Sequence, residues 1–111
     1  MTVAVDFDGT LVHPIPFPQT NYTMLDNAEE VINRLAKQGV EFVLYTARYG
    51  WWRLPAIHYI KKNKLPIKTL LFNKKPRAKL YIDNHNIFCN NIDWLEIEVE
   101  ILQQLEKEKN K

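Results

Sequence analysis

The run Val3-Ala4-Val5-Asp6-Phe7-Asp8-Gly9-Thr10-Leu11 constrains this chain more than any other stretch. An apolar strand breaks off in two carboxylates two residues apart, and a turn of small residues follows at once. Residues i and i+2 of an extended strand face the same side, so Asp6 and Asp8 become a close anionic pair at its carboxyl end. Two like charges that close are costly unless a cation sits between them or one carboxyl keeps its proton. Either condition describes a chemical site. The plainer alternative is a solvated strand-to-turn junction, since Asp-Gly is common in turns.

Strands and helices alternate downstream. Pro14, Pro16 and Pro18 exclude both a helix interior and a central strand, and predict an extended loop lying over the carboxylate pair. Asp26-Asn27-Ala28-Glu29 has the form of a capping box, and Ala28, Val31, Ile32, Leu35 and Ala36 follow at helical spacing until Gly39 stops the helix. Gly39 to Tyr45 reads as a second buried strand that delivers Thr46, Ala47 and Arg48. Trp51 to Pro55 leads into a helix with Ala56, Ile57 and Ile60 on one face, ending before Pro66. Short strands are expected over Thr69 to Phe72 and Leu80 to Ile82, the latter ending in Asp83-Asn84. Asp93 to Glu96 caps a last helix with Trp94, Ile97, Ile101, Leu102 and Leu105 as its apolar face. This alternation predicts a parallel sheet with helices on both faces. In such sheets ligands bind outside the carboxyl ends of the strands, where Asp6, Thr46 and Asp83 each stand.

With 111 residues, 46% hydrophobic and 25% charged, the chain suits a single globular domain over 1–111. The N-terminal region has no apolar run long enough for a signal peptide or a membrane span, so a cytoplasmic protein with no membrane partner is expected. Cys89 is the only cysteine, which excludes an internal disulfide. His13, His58 and His85 are too scattered for a zinc site. The net charge is only +2, yet no Asp or Glu occurs from Phe42 to Ile82, an interval that includes Arg48, Arg53, Lys61, Lys62, Lys74 and Lys75. A block of one sign draws anions to the surface it forms, although Lys61, Lys62 and Lys64 equally suit a solvated helix face.

Taken in order, Asp6-Phe7-Asp8-Gly9-Thr10, Thr46, Lys75 and Asp83-Asn84 resemble the four motifs of the haloacid dehalogenase-like (HAD) phosphohydrolase superfamily. The Lys-Pro-x-Ala segment before Ile82-Asp83 is similar to that of its small hydrolases with almost no cap domain. The resemblance implies a Rossmann-like sheet with the first strand central. It also implies Mg²⁺-dependent phosphatase chemistry, with Asp6 as the nucleophile that forms an aspartyl-phosphate and Asp8 as the acid and base. Thr46, Ala47, Arg48 and Lys75 would bind the phosphoryl group. Lys75 is preferred over Lys74 by its spacing to Asp83 and by the Lys-Pro step. Asp6, the Asp8 carbonyl and Asp83 would hold the metal, a hard-oxygen set of the kind magnesium prefers. Asn84 stands where many relatives carry another aspartate, which bears on metal affinity.

Neither the fourteen residues between Leu11 and Asp26 nor the interval from Thr46 to Lys75 can hold a cap domain. An open site in a basic surround suits the phosphorylated end of a nucleic acid or a protein. A small metabolite would instead need a lid, such as a second subunit in a homo-oligomer. Trp51 and Trp52 beside Arg48 and Arg53 are placed either to stack on a base, with the arginines on the rim, or to anchor the following helix. The alternative to an enzyme is a catalytically idle HAD-fold module that binds nucleic acid or protein through this basic, aromatic surface. Two carboxylates in an anion-recruiting cleft argue against it.

Overall fold

A computed structural model describes residues 1–48, 50–69, 76–83 and 92–109. The elements run β1 (Thr2–Val5), α1 (Ala28–Lys37), β2 (Glu41–Leu44), a 3-10 turn (Gly50–Trp52), α2 (Arg53–Lys62), β3 (Ile67–Lys68), β4 (Leu80–Ile82) and α3 (Trp94–Lys109). The four strands form one parallel sheet in the order β3-β2-β1-β4. Strand β1 is therefore internal, and Val5 pairs with Leu44 on one side and Ile82 on the other. Strand β3 pairs through Ile67 and Lys68, earlier in the chain than the strand expected from Thr69, most of which lies outside the described residues.

Side chains alternate across a strand, yet Val3, Ala4 and Val5 are all fully buried, so β1 is covered on both faces. Val3, Val5, Phe42 and Leu44 join one apolar cluster with Val31, Ile32 and Leu35 of α1, Ile57 and Ile60 of α2, and Ile101 and Leu105 of α3. Each such side chain contributes about 1.5–3 kcal/mol on full burial.

The helix boundaries follow local chemistry. Gly39, with φ +97°, supplies the left-handed residue that ends α1, and its N–H donates to the Ala36 carbonyl. The start of α1 differs from the expected capping box. Asn27 itself adopts the left-handed region (φ 68°) and makes no side-chain cap bond, because the chain turns into α1 directly from the Leu25 backbone, whose carbonyl accepts from Ala28 N–H. At α3 the cap forms as expected, with the Leu95 N–H donating to Asp93 Oδ1 at 3.0 Å. Helices α1 and α3 are joined by Arg34, which grips Glu98 at 2.8 and 3.0 Å.

Candidate active site

Strand register brings the acidic residues together. One step past the Val5–Ile82 pair, the Asp6 N–H donates to the Ile82 carbonyl at 2.9 Å, so Asp6 and Asp83 leave adjacent strands side by side. On the other side Tyr45 N–H donates to Val5 O, which brings Thr46 up at the end of β2. The chain then tightens: the N–H groups of Leu11 and Val12 both converge on the Phe7 carbonyl, and Gly9, with φ 78°, takes the conformation a side chain would resist. The Phe7 N–H donates to Asp6 Oδ1 at 2.7 Å and orients that carboxylate.

Asp8 is held differently. The Arg48 guanidinium binds it through both oxygens, Nη2 to Oδ1 at 2.7 Å and Nε to Oδ2 at 2.8 Å. Its remaining nitrogen, Nη1, donates to the Tyr22 hydroxyl at 3.0 Å and the Trp52 carbonyl at 3.3 Å. The guanidinium carbon stacks over the rings of Trp52, Phe7 and Tyr22 at 4.2, 5.0 and 5.3 Å, an arrangement that stabilises a cation away from water. Burial works to lower the Arg48 pKa, but the hydrogen bonds to Asp8 and Tyr22 and the Asp8 charge outweigh it and raise the value. The Asp8 side chain itself stays 39% exposed. Asp8 thus presents one edge to Arg48 and keeps an opening to solvent.

Thr46 is buried, and its Oγ1 accepts from the Arg48 N–H at 3.3 Å. A hydroxyl that accepts there keeps its own hydrogen for donation elsewhere. Ala47 is exposed between these two residues. Both arginines expected on the rim are buried instead: Arg48 because its cation pairs inward, and Arg53 because the first turn of α2 turns it to the core side with Ala56, Ile57 and Ile60. The Arg53 Nε and Nη1 have no hydrogen-bond partner. Lys74, Lys75, Asn84, His85 and Cys89 lie outside the described residues.

The loop after the acidic pair runs from Val12 to Met24. Its base is closed by pairing of Val12 with Met24 and by the His13 N–H donating to the Thr23 carbonyl. Phe17 reaches the 3-10 turn, with ring centroids 4.5 Å from Trp52 and 6.2 Å from Trp51. On the acidic turn itself, Trp94 of α3 donates its indole N–H to the Thr10 carbonyl at 2.9 Å. Sequence reasoning missed Tyr22 and Trp94 as supports of this site. The only signal for Arg48 as the holder of Asp8 was its place two residues after Thr46.

Among the described residues no group of three or more His, Cys, Asp or Glu side chains is arranged to hold a metal. Strand register puts Asp6 and Asp83 at neighbouring strand ends, beside the backbone of the acidic turn.

A parallel α/β sheet that brings acidic residues to the carboxyl ends of neighbouring strands is laid out as a catalytic crevice. The chain belongs to the haloacid dehalogenase-like hydrolases, whose family model matches residues 3–73, from β1 through β3 and past it. That span includes Asp6, Asp8, Thr46 and Arg48; Lys75 and Asp83 follow it. A solved structure of a conserved protein from Bacteroides thetaiotaomicron is similar at a TM-score of 0.76 and 26% identity, over 94% of this chain and 91% of that one. No curated protein matches. Among the described residues no helix is long and apolar enough to cross a membrane.

Proposed function

We propose that this hydrolase is a magnesium-dependent phosphatase that acts on a phosphate monoester through an aspartyl-phosphate on Asp6. The observation that carries the reading is the side-by-side exit of Asp6 and Asp83 from paired strands, with Asp8 fixed two residues on by Arg48. Two carboxylates and the Asp8 carbonyl fit magnesium, which takes hard oxygen donors and keeps several of its waters. When bound there, magnesium neutralises charge on the transferring phosphoryl group.

In the first step an Asp6 carboxylate oxygen attacks phosphorus, the bond to the leaving oxygen breaks, and Asp8 gives that oxygen its proton. In the second step water attacks the same phosphorus, Asp8 takes the water's proton, and the bond to Asp6 breaks to release inorganic phosphate. Thr46 donates its hydroxyl hydrogen to a phosphoryl oxygen, and Lys75 supplies a cation. The exposed edge of Asp8 lets it reach the leaving group, and to carry a proton there it must loosen its paired contact with Arg48, which favours the carboxylate.

The test is a magnesium-supplemented screen of aryl phosphate, nucleotides, sugar phosphates and end-phosphorylated oligonucleotides. The purified chain is expected to release phosphate from at least one class, and Asp6→Asn from none. Equal release by Asp6→Asn would overturn the reading.

A further inference from the structure

Next to the carboxylate site lies a groove of about 530 Å³ that no step above uses. Its volume falls in the range of ligand pockets, about 300–1,000 Å³. Tyr22 and Tyr59 meet edge to face at 5.5 Å, and each packs on Phe7, at 5.0 and 5.9 Å, so these two walls are braced against the core. Trp51 forms another wall and is 70% exposed. Pro55, His58 and Lys62 line it from α2, and His58 and Lys62, four residues apart, fall on one helix face. No lining residue is acidic.

The groove and the carboxylate site share Tyr22. One side of that residue lines the groove, while its hydroxyl accepts from the Arg48 that holds Asp8. Phe17, Trp51 and Leu54 add exposed apolar surface near this place, and an exposed aromatic patch of this kind marks an interaction site. Flat ring faces with a cationic helix edge recognise a ligand that is itself flat, π-faced and repeatedly anionic, which is the composition of single-stranded nucleic acid. An aliphatic peptide would not need the rings, and an acidic one would use only Lys62.

We infer that the groove of Tyr22, Tyr59, Trp51 and Lys62 holds a nucleobase and its phosphate from a single strand whose end lies at the carboxylate site. This deepens the phosphatase reading by naming its substrate class, and as a substrate assignment it rests on that reading.

Binding is measured without turnover, by fluorescence anisotropy of a labelled ten-nucleotide oligothymidylate that lacks a terminal phosphate, using the full chain at low salt. Binding is expected, with Trp51→Ala weakening it about tenfold, the scale of one lost base stack, and Lys62→Glu weakening it about as much by replacing phosphate attraction with repulsion. Trp51→Phe should retain most of the affinity because a ring remains, and Lys107→Glu in the last turn of α3 should leave it intact. Trp51 is largely exposed, so its truncation spares the core; unchanged circular dichroism verifies that.

Affinity unchanged in both Trp51→Ala and Lys62→Glu overturns the inference. So does a polyglutamate peptide of equal charge that binds as tightly as the oligonucleotide. A protein that hydrolyses aryl phosphate but does not bind the oligonucleotide overturns the groove and keeps the phosphatase. A protein that binds through Trp51 but hydrolyses nothing keeps the groove as a binding site and overturns the phosphatase.

Discussion

Arg48 grips both carboxylate oxygens of Asp8, at 2.7 and 2.8 Å, across forty residues of sequence. A planar fork of this kind fixes a carboxylate in position and in rotation. The Arg48 side chain is almost wholly buried while that of Asp8 is not, so the arginine belongs to the scaffold and the aspartate to the cleft.

Arg48→Ala is expected to lower stability by about 2 kcal/mol, the scale of lost hydrogen bonds to a charged group. Turnover should fall roughly tenfold to a hundredfold as Asp8 loses its position. Arg48→Lys should restore little of either, because a point charge cannot make the paired contact. Urea denaturation and kcat are the measurements, and full rescue by lysine would show that charge alone matters.

Removal of magnesium by EDTA should abolish turnover and its return should restore it. Asp8→Asn should reduce kcat by about a hundredfold or more through lost proton transfer, and should also lower stability, because it leaves the buried Arg48 cation without its charge partner. Activity that persists in EDTA would rule out the metal's part.

Lys75→Ala should impair catalysis far more than Lys74→Ala. Steady-state kinetics on the two variants decide this, and the reverse ranking would reassign the phosphoryl cation to Lys74 without touching the fold.

The Arg34–Glu98 pair makes a pH prediction. The hydrogen bond from Arg34, with its charge, outweighs burial and holds the Glu98 carboxyl below its usual value. A carboxyl depressed in the folded state contributes stability above its unfolded pKa and loses it as pH falls through the folded one. Glu98→Gln should therefore lower Tm slightly near neutrality, and the gap to the parent should close on acidification. A gap that widens in acid would contradict the assignment.

Much of this architecture was legible in the chain. The apolar runs at Val3–Val5 and Phe42–Leu44 announce buried parallel strands, because only a strand covered on both faces has no polar alternation. Asp6, Thr46 and Asp83 could be placed at strand ends by sequence alone. Arg48 and Arg53 could not be placed inside or outside, since burial of a guanidinium depends on partners brought from elsewhere. Arg48 found Asp8, Tyr22 and three rings, none of which its own neighbours specify. The capping box expected over Asp26 to Glu29 failed for a related reason: the entry of the chain from Leu25 set Asn27, in the left-handed region, at the helix start.

The indole of Trp94 and the carbonyl of Thr10 are 84 positions apart. Closing so long a segment is entropically slow, so the turn that carries the acidic residues should acquire its last support late in folding. On a ribosome that turn emerges 84 residues ahead of Trp94 and waits for it. The protein should therefore gain catalytic competence in one late event rather than by degrees, and refolding chains should recover secondary structure before they recover turnover. Simultaneous recovery of the two signals in stopped-flow refolding would contradict this order.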